Sequence, residues 1–153
     1  MDSRFVSPIL MWAIALSGAA AISALVPPAG IFQKAFVSDV AAAFLFLNWL
    51  GFFSLGVWQN REAESSAAQI KKLQTSGVYS LLRHPIYFAD MGLTLGIFLY
   101  MPLLNVLASA AFVIGVLYYW AGLEEEALLQ KFGRKYSDYC RRVPKFIPIL
   151  PWA

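Results

Sequence analysis

The stretch "MGLTLGIFLYMPLLNVLASAAFVIGVLYYWAGL", residues 91–123, carries no charged side chain between Asp90 and Glu124. As a single helix it would be about 50 Å long, whereas a bilayer core is only about 30 Å thick. Pro102 divides the stretch, because proline lacks a backbone N–H and clashes with the turn before it. The stretch therefore predicts two antiparallel membrane helices, at about 86–101 and 103–123, joined as a proline-broken hairpin.

Two more uncharged segments precede this hairpin and predict two further spans, at about 5–26 and 40–58. A cleaved signal peptide is the alternative interpretation of the first span. Only one Arg precedes that span, however, and "SALVPPAG" is a poor cleavage site. The polar residues 60–77 favour a helix that stops at Gly77.

The last residues, "FGRKYSDYCRRVPKFIPILPWA" at 132–153, are basic, aromatic and interrupted by prolines. They are too polar to span a membrane and too apolar to extend freely into water, so we expect an interfacial tail that folds back on the helices. The fold class predicted is an all-α polytopic membrane protein with four transmembrane helices and this interfacial C-terminal tail. One domain, 1–153, accounts for the whole sequence.

Composition supports a membrane protein and excludes other classes. Hydrophobic residues make up 59% of the 153 residues and charged residues only 14%, which is more apolar surface than a soluble domain of this size can hide. A single cysteine, Cys140, excludes an internal disulfide, and with only one histidine no Cys/His metal site is expected. The basic residues lie beside membrane-length apolar runs, so nucleic acid is not an expected partner.

The distribution of basic residues orients the four spans. Lys34 would lie alone on one side, and eleven basic residues would lie on the side that holds both termini and the central loop. Because positive charge collects on the cytoplasmic side of membranes, we expect an integral, multi-pass protein with both termini in the cytoplasm. The eleven residues are Arg4, Arg61, Lys71, Lys72, Arg83, Lys131, Arg134, Lys135, Arg141, Arg142 and Lys145.

The segment "GVYSLLRHPIYFAD", 77–90, contains the only histidine, His84. Counted from Pro102, His84 lies about 27 Å back along one helix and Glu124 about 33 Å along the next. The hairpin therefore predicts that an Arg, a His and a Tyr meet two carboxylates at one depth. These carboxylates can accept from ribose hydroxyls or an ammonium, and Arg can hold a carboxylate or phosphate, but the spacing does not name a cofactor.

Taken singly, these residues have structural explanations. Arg83 suits a headgroup anchor, Tyr87 suits an interfacial aromatic belt, and the glutamates suit a solvated helix end. Asp90 is different, since an ionisable side chain at the edge of a span is costly and indicates function. Only the joint pattern of the other residues indicates a site.

Two ordered motifs resemble the isoprenylcysteine carboxyl methyltransferase family and its phospholipid methyltransferase relatives. The first is Arg83-His84-Pro85-Ile86-Tyr87, and the resemblance covers about 70–150. It implies an integral membrane methyltransferase that uses S-adenosylmethionine and takes a lipophilic acceptor from between its helices. The second motif comprises Glu124, Glu125, Leu128, Phe132, Gly133, Tyr136, Tyr139, Pro144 and Pro148.

The resemblance also implies roles for residues in the segments 77–90 and 124–148. Catalysis would use Arg83 to hold a carboxylate acceptor, or His84 or Asp90 as the base for an amine acceptor. Phe88-Ala89-Asp90 departs from the family, which often has Gly after the tyrosine, and this leaves the acceptor open. The residues implied in S-adenosylmethionine binding are Arg83, His84, Tyr87, Glu124 and Glu125, with Arg134, Tyr136 and Tyr139 in a lid.

Two other functions are compatible with the sequence. The tail is also similar to the C-terminal end of NADPH-dependent membrane sterol reductases, although those carry Arg-Asp in place of Glu124-Glu125. The second alternative function is that of a membrane protein that binds ligands without turnover. For the methyltransferase, a prenylated cysteine, an amine-bearing phospholipid, and a small hydrophobic thiol or acid all remain open as acceptors.

Overall fold

The computed structural model describes residues 7–60 and 72–147, which are helical almost throughout. The order of elements confirms the predicted all-α class. The elements are α1 (Pro8–Leu25), α2 (Phe36–Gln59), a short 3-10 helix (Gly77–Ser80), α3 (Pro85–Tyr100), α4 (Leu104–Phe132) and α5 (Arg134–Arg142).

Three of these helices, α1, α2 and α4, are long and apolar enough to cross a membrane, and α3 is a shorter apolar helix. The predicted hairpin is confirmed, because α3 ends at Tyr100 and α4 begins at Leu104. At 29 residues, α4 is about 43 Å long and exceeds a bilayer core of about 30 Å. Its excess length forms the charged extension that carries the acidic residues.

The start of α2 differs from the prediction, since it begins at Phe36 and not at 40. Ser38 explains the difference, because its hydroxyl accepts from the N–H of Ala35 at 3.2 Å and donates to the carbonyl of that residue at 2.6 Å. Asp39 is thereby included in the first turn, where its carboxylate pairs with Lys34 at 3.0 Å. A negative charge at a helix N-terminus is favourable.

Helix α2 packs against α3, and α1 packs against α4. Contacts between α3 and α4 join these two pairs. Apolar residues of α1 and α4 form the central core, which comprises Met11, Ala15, Val113, Leu117, Trp120 and Ala127. Many large apolar side chains on the outer faces remain exposed, as expected for surfaces that contact lipid.

The two ends of the bundle differ. At one end the loop after α1 pairs with the hairpin turn. The N–H of Ile31 donates to the carbonyl of Pro102 at 2.9 Å, and the N–H of Leu104 donates to the carbonyl of Ala29 at 2.8 Å. The start of α3 and the extension of α4 lie at the opposite end, which we call the site end.

The predicted helix over 60–77 is wrong for the part that the structure describes, and 61–71 lie outside the described residues. Residues 72–76 are not helical, and Gly77 opens the 3-10 helix with a φ of +63°. The Gln59 side chain approaches this glycine closely and accepts from the N–H of Val78 at 2.8 Å. Burial of Leu73 and Val78 therefore overrides the helix propensity of the polar segment.

The predicted return of the tail is confirmed as far as Phe146, since Pro144 and Lys145 bond to the backbone just before α3 and Phe146 packs on His84. Sequence analysis did not anticipate α5, which precedes this return. Residues 148–153, including Pro148 of the second motif, lie outside the described part.

Candidate active site

The residues Arg83 and His84 lie between the 3-10 helix and α3 and are fixed there by their backbone. The N–H of Arg83 donates to Pro144 at 2.9 Å, and that of His84 donates to Lys145 at 3.3 Å. Pro85 occupies the first helical position of α3, where a missing N–H costs nothing. His84 is only 5% exposed, so its polar ring needs partners inside the protein.

Those partners come from α4. His84 Nε2 lies 3.1 Å from Glu125 Oε1, and its Nδ1 lies 3.8 Å from Glu124 Oε2. Arg83 Nη2 lies 3.3 Å from the same Glu125 oxygen. The hairpin thus returns two carboxylates to the imidazole, at the depth that counting from Pro102 predicted.

Two aromatic rings enclose the imidazole. Tyr87, in the first turn of α3, stacks on His84 with ring centroids 5.5 Å apart and planes within 1°. Phe146 packs on the same imidazole at 5.7 Å. The site therefore holds a buried polar cluster within an apolar shell.

A cavity of about 540 Å³ opens beside this cluster. Its polar wall includes Arg83, His84, Tyr87 and Glu124. The volume lies within the range of about 300–1,000 Å³ that is usual for small-molecule and cofactor sites. The remaining lining residues are Pro8, Ile9, Met11, Trp12, Phe53, Val57, Asn60, Tyr79, Pro85 and Ile86.

The residues implied as a lid are divided by the structure. Tyr136 and Tyr139 are buried, with Leu128 and Val143, in a second apolar cluster between α4 and α5. Tyr136 also lines a separate cavity of about 490 Å³ beside Glu125. Both tyrosines therefore lie on the α5 side of the polar cluster and do not line the 540 Å³ cavity.

Arg134 does not join the cluster. Its side chain is 96% exposed, and its partner is Asp138, at 4.0 Å on the same helix. Its side chain lies on the outer face of α5, and its place in a lid stays a prediction.

Asp90 lies apart from the cavity. It is 4% exposed and faces α2, where Trp49 Nε1 donates to its Oδ1 at 3.0 Å. Its Oδ2 has no hydrogen-bond partner among the described residues. Asp90 follows Tyr87 by only three residues on α3, but the structure turns the tyrosine to the cluster and the aspartate to the α2–α3 interface.

Burial controls the ionisation of the tyrosines near the site. Desolvation raises the pKa of Tyr79 to about 12, and it also raises the pKa values of Tyr136 and Tyr139. These phenols are therefore neutral hydrogen-bonding groups at physiological pH, and they are not bases.

Sequence reasoning missed several contributors to the site. Asn60 and Tyr79 line the cavity, and Lys145 lies 3.4 Å from Glu125. The apolar residues next to Tyr79 in the sequence offered a weak signal that its side chain is buried. Asn60 offered none, and for Lys145 the expected return of the basic tail indicated the region but not the residue.

The fold and the cluster define an integral membrane protein with a buried site of mixed charge at one end of a helical bundle. Among the described residues, no group of His, Cys, Asp and Glu is arranged to hold a metal ion. The family model described as Phospholipid methyltransferase matches residues 35–135, which is 101 of the 153 residues. The chain belongs to this family.

Curated relatives match over about half to two thirds of the chain. Protein-S-isoprenylcysteine O-methyltransferase B of Arabidopsis thaliana is 37% identical over 82 residues, 52% of this chain and 41% of that protein. Methanethiol S-methyltransferase 2 of Bradyrhizobium diazoefficiens is 32% identical over 87 residues, 52% of this chain and 30% of that protein.

A Delta(14)-sterol reductase of Mus musculus is also 32% identical over 87 residues, but these cover only 20% of that protein. The chain therefore spans between one fifth and about two fifths of the length of these relatives. No solved structure matches the chain significantly.

Proposed function

We propose that this protein transfers a methyl group from S-adenosylmethionine to a lipophilic acceptor at the cytosolic face of a membrane. The observation that carries the proposal is the contact of His84 and Arg83 with Glu125, which follows them by 41 and 42 residues in sequence, beside a cavity with largely apolar walls. Relatives named as O- and S-methyltransferases support the reaction class.

The residues around the cavity fit the proposed cofactor. The carboxylate of Glu124 faces the cavity and can accept from ribose hydroxyls or an ammonium. Arg83 also lines the cavity, and its buried Nε has no hydrogen-bond partner among the described residues. The guanidinium at the cavity wall suits the carboxylate of an amino acid group.

When bound, S-adenosylmethionine supplies a methyl group that its sulfonium has already activated, so little covalent help is required of the protein. The residues of this chain would align the acceptor and exclude water. Arg83 would hold a carboxylate acceptor, whereas His84 would take a proton from an amine acceptor. Apolar side chains such as Trp12, Phe53 and Ile86 would hold its hydrocarbon part.

Membrane topology is a second part of the proposal. We infer that α3, at 16 residues or about 24 Å, crosses the membrane as a fourth span beside α4. Among the described residues, Lys34 lies at the end of the bundle that holds the hairpin turn, and the other basic side chains lie at the site end. The positive-inside rule then supports a cytosolic location for the site end and both termini.

Binding of S-adenosylhomocysteine to detergent-purified protein tests the site. Glu124→Gln keeps the size of the side chain and removes the charge, and we expect at least a tenfold loss of affinity, since charged hydrogen bonds contribute about 1.5–3 kcal/mol. His84→Ala should weaken binding similarly. Glu126→Gln is the matched control, because it makes the same change one residue along α4 at an exposed position. Unchanged affinity in both site variants would remove the proposal.

A reductase is the second candidate, supported by the sterol reductase relative. A ligand that binds only the folded protein raises its melting temperature, so melting with S-adenosylhomocysteine is compared with melting with NADPH. Stabilisation by NADPH alone would favour the reductase. Cofactor binding without labelled methyl transfer to any lipid, amine or thiol acceptor would favour a protein that binds without turnover.

A further inference from the structure

The segment from Val143 to Phe146, which we call the strap, lies directly on the site. Pro144 and Lys145 accept hydrogen bonds from the N–H groups of Arg83 and His84. Val143 is buried in the α4–α5 cluster, and Phe146 packs on the imidazole. The strap is thus held at its first residue and at its last.

Lys145 provides the charged contact of the strap. Its Nζ lies 3.4 Å from Glu125 Oε2 and 5.0 Å from the ring centroid of Tyr118. Tyr118, Gly122 and Glu125 follow one another at spacings of four and three, so they share one face of α4. A Cβ at Gly122 would lie 3.9 Å from the ammonium, which places the lysine side chain along this face.

The two adjacent glutamates consequently differ in their surroundings. Glu124 lines the 540 Å³ cavity. Glu125 does not line that cavity, and its carboxylate contacts Arg83, His84 and Lys145 within 3.4 Å. Two permanent cations therefore compensate Glu125, whereas Glu124 remains available to a ligand.

We propose that Lys145 is a positioning residue that acts through Glu125, and that this ion pair is a latch that holds the strap on Arg83 and His84. The latched strap keeps both residues in place at the polar wall of the cavity. The latch rests on contacts within the chain, and only its effect on the cofactor rests on the proposed function.

Hydrogen exchange tests the latch without any ligand. The amide hydrogens of Arg83 and His84 are bonded to the strap, so they exchange when the strap leaves, and a peptide that spans them reports this opening by mass spectrometry. In Lys145→Met the aliphatic packing is kept and the charge is lost. We expect about fivefold faster exchange at these two amides, since a partly exposed ion pair contributes on the order of 1 kcal/mol.

Two further variants separate the latch from a general loss of structure. Lys145→Arg restores the cation and should restore slow exchange. Lys135→Met removes an exposed lysine of α5 and should leave exchange at Arg83 and His84 unchanged. In the wild type, high salt should accelerate exchange at these amides, because it screens the ion pair. Unchanged exchange in Lys145→Met would overturn the proposal.

Binding kinetics test the effect on the cofactor. A strap that leaves more often loosens Arg83 and His84 at the cavity wall, so in Lys145→Met the dissociation of S-adenosylhomocysteine should accelerate by up to about fivefold while its association changes little. Faster dissociation with unchanged exchange would mean that Lys145 binds the ligand directly, which overturns the latch. If the wild type binds no S-adenosylhomocysteine, the proposed function fails, while the exchange experiment still decides the latch.

Discussion

The hydroxyl of Tyr139 donates a hydrogen bond of 2.6 Å to the backbone carbonyl of Tyr79, and both residues are buried. The bond joins α5 to the 3-10 helix, which lies three residues before Arg83. The tail helix and the segment that delivers the Arg-His pair are therefore held together by one short contact across 60 residues of sequence.

Tyr139→Phe should destabilise the protein while it preserves the shape of the side chain. The change leaves the buried carbonyl of Tyr79 without this donor, at a cost of about 1–3 kcal/mol. We expect the melting temperature in detergent to fall by about 3–8 °C. The fall is measured by thermal unfolding with a fluorescent thiol- or apolar-surface probe.

The matched control for this prediction is Tyr119→Phe, which removes a hydroxyl from a ring that is 62% exposed. That variant should melt within about a degree of the wild type, since surface changes are usually worth less than about 0.5 kcal/mol. Equal shifts in the two variants would mean that the Tyr139 hydroxyl has no special part in stability.

The sequence alone predicted the elements that depend on local backbone chemistry and on bilayer thickness. A charge-free run interrupted by Pro102 predicts a hairpin because backbone chemistry and bilayer thickness leave few alternatives. Counting along the two helices then predicts that His84 meets Glu124 and Glu125, since helical rise is constant. This part of the site required no knowledge of side-chain packing.

The elements that sequence missed depend on tertiary contacts. A nine-residue helix such as α5 is marginal in isolation, and it forms here with Tyr136 and Tyr139 buried against α4. Asp90 follows Tyr87 by three residues, or about 300° around the helix, and the remaining 60° is enough to turn it towards Trp49. No local pattern indicated that α2 would offer an indole N–H at that point.

Gly56→Ala should disturb the junction between α2 and the start of α3. A Cβ at this position would lie 2.7 Å from Cγ1 of Ile86, and Ile86 lines the cavity beside the site. Overpacking of this kind costs about 1–3 kcal/mol. We expect a lower melting temperature and weaker S-adenosylhomocysteine binding, measured on the same preparation.

Gly51→Ala provides the control on the same helix, since nothing lies within 4 Å of its Cβ position. Alanine favours helix by about 1 kcal/mol over glycine, so this variant should melt at or slightly above the wild-type temperature. A Gly56→Ala protein as stable as Gly51→Ala would show that Ile86 moves aside freely.

Stability should decrease at alkaline pH because of Tyr79. Its ordinary pKa is 10.0, and burial raises this value to about 12 in the folded protein. Between these values the folded state binds more protons than the unfolded state, so the free energy of unfolding decreases as pH rises. The contribution is fully present below about pH 10 and is lost as pH rises through about 12, with a magnitude of about 2–3 kcal/mol.

Melting temperatures at pH 8, 10 and 11.5 measure this dependence. Tyr79→Phe should reduce the alkaline fall without removing it, because burial also raises the pKa values of Tyr136 and Tyr139. Tyr119→Phe should keep the full wild-type fall. A Tyr79→Phe protein with the same alkaline fall as the wild type would contradict the assignment to Tyr79.

Asp90 is expected to hold α3 against α2 and to take no direct part in methyl transfer, because it contacts Trp49 and lies away from the cavity. Asp90→Asn keeps an oxygen for the indole N–H, so we expect a melting temperature close to the wild type and methyl transfer within about threefold, whereas loss of a general base typically costs about 10²–10⁴ in rate. Asp90→Leu leaves the buried N–H of Trp49 without its acceptor and should lower the melting temperature, at a cost of about 1–3 kcal/mol. Trp49→Phe removes the donor itself and should bring the Asn and Leu variants at position 90 closer together in stability. A hundredfold loss of labelled methyl transfer in Asp90→Asn, with unchanged melting and unchanged S-adenosylhomocysteine affinity, would instead make Asp90 the base that its place in the sequence suggested.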